Sequence, residues 1–266
     1  MMSLVTLLTD FGTQDPFVGE MKGVMACIAP GIRFVDLTHE VAPGNVREAA
    51  WVLAKSVPWF PPGTCHLVVV DPGVGSDRRA LAAEAGGHRF VGPDNGVLAP
   101  ALDAAGGARI REIAVREVDR PRRGTTFDGR DRFAPVAARL ALGAPLEELG
   151  PEVDDPERPG SFAPVREGDG WSAEIIRIDR FGNLVTTAEE AFLRRELGED
   201  WRRARVTAGT MRVEGIRTAY VEADSGQALL SIGGSGVLEI SVRDGSAART
   251  LGLQAGDRVT VSLPEG

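Results

Sequence analysis

Very little in this chain of 266 residues could act as a covalent staple, a basic surface or a membrane span. The two cysteines, Cys27 and Cys65, fall in apolar segments and lack the even, dense spacing of disulfide scaffolds, which points to a reducing cytoplasm. His39, His66 and His88 have no metal-ligand spacing, and two separated cysteines add no zinc pattern, so no metal and no cofactor is expected. Lys22 and Lys55 are the only lysines. With a net charge of -8 and a pI near 5.1, the chain lacks the basic face that broad contact with nucleic acid requires. No run of about 18 apolar residues occurs, and no basic region precedes the short apolar run near the start, so neither a membrane span nor a signal peptide is expected.

The hydrophobic share of 43% and charged share of 26% are ordinary for a globular protein that folds completely. The first part alternates short apolar runs with amphipathic stretches, the pattern of strands joined by crossover helices over a mainly parallel sheet. Val5 to Leu8, Arg33 to Leu37 and Cys65 to Val70 read as strands, the last apolar throughout and therefore buried on both faces. Asp15 followed by Pro16 predicts a helix start with Asp15 as cap, and Asn45 predicts another. Leu81 to Glu84 and His88 to Val91 read as a hairpin around Gly86-Gly87, and Asp131 to Leu142 as a core helix.

This α/β domain is expected over residues 1–155. Residues 156–170, rich in Pro, Gly, Asp and Glu, read as a linker. Residues 171–266 carry short alternating runs, Ser172 to Ile178, Arg217 to Val221, Leu229 to Ile232, Val237 to Val242 and Arg258 to Leu263, between Gly-rich turns. A small all-β barrel or sandwich is the expectation.

In a parallel α/β sheet, ligands gather outside the carboxyl ends of the strands. Asp10, in Thr9-Asp10-Phe11-Gly12, and Asp71, in the segment Asp71 to Arg79, both follow a predicted strand; each is either a ligand-facing carboxylate or a turn-forming Asp. The loop after Asp71 has neither the G-x-G-x-x-G pattern nor a Walker lysine, which excludes a nucleoside triphosphate cradle. In Phe127-Asp128-Gly129-Arg130-Asp131, Asp128 or Asp131 reads first as a helix cap. Asp179-Arg180-Phe181-Gly182-Asn183 reads as a hairpin turn, or as an exposed Phe and Asn that bracket a flat ligand. His39 reads as a structural histidine, and Tyr220 as a member of an alternating strand.

Taken in order, these segments together with Asp36-Leu37-Thr38-His39 and Gly92-Pro93-Asp94-Asn95-Gly96 resemble the S-adenosylmethionine (SAM) hydroxide adenosyltransferase family, which is itself related to SAM-dependent fluorinase and chlorinase. The resemblance implies a Rossmann-like three-layer N-terminal domain, a C-terminal β-barrel, and a homotrimer that holds SAM at subunit interfaces. It implies hydrolysis of SAM to adenosine and methionine, with SAM as substrate and no cofactor. By resemblance Asp10 accepts hydrogen bonds from the ribose hydroxyls, with Phe11 beside it, and Phe127 lies near the ribose. Asp179 and Asn183, with Phe181 between them, resemble the contacts to methionine and adenine, and the approach from Gly234 through Ser235 to Glu239 resembles the segment that holds the amino-acid end.

Asp71 and Arg78 match two members of the family's Asp-Arg-His set around the attacking water. Asp128 stands where the family usually has His, removing an imidazole poised near neutral pH. Two carboxylates around one guanidinium would titrate as a coupled pair. A sensor that holds SAM or adenosine without turnover is the alternative; a halogenase is a lesser one, because an acidic Asp71 repels a halide.

Overall fold

The computed structural model describes residues 3–114 and 126–264. The chain divides into two compact units, one ending at Pro159 and the other starting at Gly160. The first is built from β1 (Leu4–Thr9), α1 (Phe17–Ile28), β2 (Arg33–Thr38), α2 (Val46–Ser56), β3 (Cys65–Val69), β4 (Ala80–Ala85), β5 (His88–Pro93), α3 (Ala99–Ala104), β6 (Arg109–Glu112) and α4 (Ala134–Ala141). Its sheet runs β2-β1-β3-β5-β4-β6. The β2, β1, β3 and β5 strands are parallel, while β4 pairs antiparallel with β5 and β6. Helices α1 and α4 cover one face through Val18, Met21, Met25, Val136 and Leu140. Helices α2 and α3 pack together on the other, completing three layers.

Local chemistry sets several boundaries. The continuous apolar run of β3 is buried throughout, as a strand covered on both faces must be. Asn45 caps α2 as expected, its side chain accepting from the Glu48 N–H at 3.1 Å. Helix α1, by contrast, has Pro16 rather than Asp15 at its cap, with no side-chain cap bond. Asp15 thereby sits one position too far out to reach the orphan N–H groups of the first turn.

Burial also places a histidine where its charge is costly. His66 in β3 is fully buried, its Nδ1 2.8 Å from the Thr6 hydroxyl and its Nε2 3.3 Å from His88 Nδ1. Burial, and secondarily the nearby His88, pull its pKa down to about 3. The unfolded chain therefore binds the extra proton first, and stability rises with pH between about 3 and the ordinary histidine value of about 6.5. Replacement of His66 by Gln is expected to flatten this acid limb in chemical denaturation measured from pH 7 to pH 4; an unchanged slope would show that other groups set it.

The second unit contains β7 (Val165–Glu167), β8 (Gly170–Ile178), β9 (Leu184–Glu189), α5 (Glu190–Leu197), β10 (Arg205–Ala208), β11 (Met211–Glu214), β12 (Ile216–Arg217), β13 (Ala228–Ile232), β14 (Val237–Val242), α6 (Ala247–Leu251) and β15 (Arg258–Ser262). They form a barrel-like, nearly closed sheet in the order β11-β10-β15-β8-β9-β14-β13-β12, with β7 added on β8. Its core includes Ile175, Leu184, Leu193, Trp201, Leu230, Leu238 and Val261. Two expectations are corrected. The stretch read as a linker carries β7, paired Val165 to Ser172. The strand expected through Tyr220 stops at Arg217, because Glu222 accepts the backbone N–H groups of Thr218 and Ala219 at 3.2 and 3.0 Å and winds Tyr220–Glu222 into a 3₁₀ turn.

Candidate active site

Strands β1 and β3 are parallel neighbours in register, Thr9 opposite Val69, so Asp10 and Asp71 leave the sheet at the same carboxyl edge. Asp10 Oδ2 accepts from the Gly44 N–H at 2.8 Å. Gly44 has a φ of +72°, and a Cβ there would lie 3.7 Å from Pro72, so its backbone passes close to the loop that begins at Asp71. Beneath them His39 is buried, with Nδ1 2.9 Å from the Thr9 hydroxyl and its carbonyl accepting from Gly12 at 2.7 Å.

Arg78 gathers both candidate carboxylates. Its Nε donates to Asp71 Oδ1 at 2.8 Å and its Nη2 to Asp71 Oδ2, a two-pronged pairing. The same Nη2 donates to Asp128 Oδ2 at 2.9 Å. All three side chains are nearly buried, with exposures of 10% for Arg78, 4% for Asp71 and 6% for Asp128. The guanidinium also lies 5.2 Å from the centre of the Phe133 ring. Burial alone would favour a neutral Arg78, but its bonds to Asp71 and Asp128 outweigh it and raise the pKa, so the cation is locked in place. Asp128 does not cap a helix through its side chain, as the sequence had suggested, and Asp131 is bound by Arg130 at 2.7 Å. Asp128 is turned to the guanidinium instead.

A π-helical turn, Gly129–Phe133, directly follows Asp128, with the Ala134 N–H bonded to the Gly129 carbonyl. Pro135 supplies a cause. It has no N–H for the Asp131 carbonyl, and its ring would crowd that oxygen in a regular α-helix, so the turn opens by one residue. The wider turn sits next to three aromatic rings, Phe11, Phe17 and Phe127, mutually edge-on at 5.3 to 5.9 Å. Arg130 lies 4.9 Å from the Phe127 ring and is itself bonded to Glu20 at 2.8 Å. Phe17 belongs to none of the motifs, although an aromatic residue opening α1, six positions after Phe11, is a signal of the same face. Phe17 is 42% exposed, which leaves part of its ring open to a flat ligand.

The remaining candidates fall in the second unit. Asp179 closes the β8–β9 hairpin: Oδ1 accepts the Phe181 and Asn183 N–H groups, both at 2.9 Å, and Oδ2 accepts the Asn183 side-chain amide at 2.9 Å. Gly182, at a φ of +87°, has no room for a Cβ against Ser246. Asn183 is buried while Phe181 is 77% exposed, a bare aromatic held on a rigid turn. Ser235 is exposed in the β13–β14 turn, and Glu239 on β14 is buried with its carboxylate against Gly233, where any Cβ would collide with it. Burial first, then the Asp179 charge, push the Glu239 pKa up, Arg177 opposing. Relieving that charge by Glu239→Gln is expected to stabilise the protein at neutral pH by about 1 kcal/mol, or about 2–4 °C in Tm. If Glu239 serves a cationic ligand group, the same change weakens binding; calorimetric melting beside a binding isotherm reads both.

The family model described as the SAM hydroxide adenosyltransferase N-terminal domain matches residues 5–150, and the model of the family's C-terminal domain matches residues 173–260. An (R)-S-adenosyl-L-methionine hydrolase of Salinispora tropica is 41% identical, over 97% of this chain and 97% of that protein. A protein named fluorinase from Actinoplanes sp. is more distant, 27% identical over 97% of each. Among solved structures, an uncharacterized conserved protein of Thermotoga maritima superposes with a TM-score of 0.88 at 38% identity, covering 97% of this chain and 99% of that one.

Proposed function

This chain belongs to the SAM hydroxide adenosyltransferase family, and we infer that it is an S-adenosyl-L-methionine hydrolase, which uses water to release adenosine and L-methionine. The observation that carries this reading is the buried Arg78 held between Asp71 and Asp128 at the carboxyl edge of the sheet. Water attacks the ribose C5′; the new C5′–O bond forms as the C5′–S bond breaks, and the sulfonium sulfur keeps the electron pair as the neutral thioether of methionine. The leaving group therefore needs no acid. The nucleophile needs help, because water is weak. Arg78 stabilises the developing hydroxide character, Asp71 fixes the guanidinium, and Asp128 orients the water and receives its proton.

Asp10 is suited to the ribose hydroxyls as an acceptor-only carboxylate, and Phe11, Phe17 and Phe127 supply apolar rings beside it. Asp179, Phe181, Asn183, Ser235 and Glu239 are assigned to the adenine and amino-acid ends. The assembly we propose is a homotrimer with its sites at subunit interfaces, working in the cytoplasm without a cofactor; light scattering tests the first point and an unchanged rate in EDTA the last. Among the described residues no helix is long and apolar enough to cross a membrane.

Incubation with SAM in halide-free oxygen-18 water tests the reaction directly. Labelled adenosine with methionine in equal amount, dependent on enzyme, is the expected result. Tight binding of SAM without turnover, even after chloride or fluoride is added, would replace hydrolysis by sensing. The Asp128 substitution is what makes that alternative worth testing.

A further inference from the structure

Arg79, the neighbour of Arg78, is engaged in a different network. Its Nε donates to Asp94 Oδ2 at 2.6 Å, its Nη1 to Asp155 Oδ1 at 2.7 Å, and its Nη2 to the Asp155 carbonyl at 2.8 Å. Asp94, with a side chain only 2% exposed, also accepts the Glu157 N–H through Oδ1 at 2.8 Å, and its own N–H returns to the Arg79 carbonyl at 3.0 Å. The next residue, Asn95, donates from its side chain to the carbonyl of Val70 at 2.9 Å, just before Asp71. One short segment after β5 thus grips both ends of the loop over residues 71–79.

That segment has little freedom of its own. A Cβ on Gly92 would lie 2.8 Å from the Val68 carbonyl oxygen, and one on Gly96 only 2.7 Å from the Pro159 nitrogen. Between the gripped ends, the backbone turn is closed from within: the Ser76 hydroxyl donates to Gly73 O at 2.7 Å and accepts the Arg78 N–H at 3.3 Å. Such a glycine-containing turn fixes its own curvature, and although the Arg78 side chain reaches Asp128 at 2.9 Å, a long side chain does not by itself set where the backbone of the turn stands. Placement has to come from outside the loop.

We propose that Asp94, acting through Arg79 with Asp155 as an outer arm, is the positioning residue that holds Arg78 in line with Asp71 and Asp128. This deepens the hydrolase reading and rests on it for its catalytic consequence. Loss of the buried carboxylate in Asp94→Asn should let the Arg79 end of the loop drift, and a misplacement near 1 Å is enough to cost a rate about 10- to 100-fold. Because SAM is held by other residues, its KM should change by less than about threefold.

The test uses the full chain, labelled with ¹⁵N-arginine, as wild type, Asp94→Asn and Asp155→Asn. The Asp155 carboxylate is 84% exposed, so its variant loses one arm without disturbing the interior. Expected results are a sharp, slowly exchanging Arg78 Nε–H signal in wild type, its broadening in both variants, a large fall in kcat for Asp94→Asn, and a fall of about threefold for Asp155→Asn. An Arg78 signal and kcat unchanged in both folded variants overturn the proposal. So does an activity loss that merely tracks the unfolded fraction by circular dichroism, or an altered Arg78 signal with normal kcat. If wild type releases no adenosine, the hydrolase reading fails by itself, and the clamp stands or falls on the Arg78 signal alone.

Discussion

Replacement of Arg78 by methionine is expected to lower SAM turnover by about 10³-fold, the scale seen when a donor aimed at developing negative charge is removed. It should also destabilise the fold by about 3–5 kcal/mol, because it leaves the carboxylates of Asp71 and Asp128, 4% and 6% exposed, facing each other without their shared cation. The two effects separate with pH. In the variant, a buried pair of like charges takes up a proton more readily than in water, so the unfolded state binds fewer protons and the stability deficit shrinks as pH falls. The rate does not return, since protonating a carboxyl supplies no cation at the nucleophile. Denaturant midpoints and kcat measured from pH 8 to pH 5 read both. A variant that keeps its turnover would remove Arg78 from the chemistry, and one that keeps its stability at pH 8 would mean that water reaches the pair in solution.

How much of this was legible beforehand depended on whether the deciding force was local. The run Cys65 to Val69 names itself as a buried strand because every side chain in it is apolar. The Gly86-Gly87 hairpin is as plain, with Ala85 paired to His88. Asn45 needs only a helix and its own carbonyl to act as a cap. Tyr220 failed because the turn there is closed by Glu222, a charged residue that an alternating pattern scores as merely exposed. The helix expected from Asp131 starts only at Ala134, behind the π turn Gly129–Phe133, for a related reason: Pro135 marks a break, but whether the helix kinks, stops or widens is settled by what the turn packs against, Met21 and the two phenylalanines near Gly129.

At the site the same division holds. Asp10 and Asp71 were suspects from position alone, since each ends a strand of a parallel sheet. Nothing in the residues themselves distinguished Asp128 from an ordinary cap; its approach to Arg78 joins positions 50 apart in the chain. Arg79 and Asp155 are 76 apart, and no spacing rule links them. Such contacts are set by tertiary packing, and only resemblance to a family or coordinates can supply them.

Asp128 carries the second large prediction. Asp128→Ala leaves the two-pronged pairing of Asp71 with Arg78 intact, so the cation stays near the nucleophile but loses the only other carboxylate bonded to that guanidinium among the described residues. If Asp128 takes the proton of the attacking water, kcat should fall by about 10²- to 10⁴-fold with little change in KM. Asp128→Asn separates the two halves of that role. An amide can still accept a hydrogen bond and orient water, but it cannot take the proton, so a rate as low as that of the alanine variant assigns the proton to Asp128, whereas a near-normal rate assigns it orientation only. Asp128→His then asks whether an imidazole can do the same work: its activity should decline in acid as the ring charges and ceases to be a base, with a midpoint below the ordinary histidine value of about 6.5 because burial and the Arg78 cation both disfavour imidazolium. A histidine variant with the wild-type pH profile would mean that proton removal at this position does not limit the reaction, and that the aspartate and the histidine serve there as acceptors that aim the water.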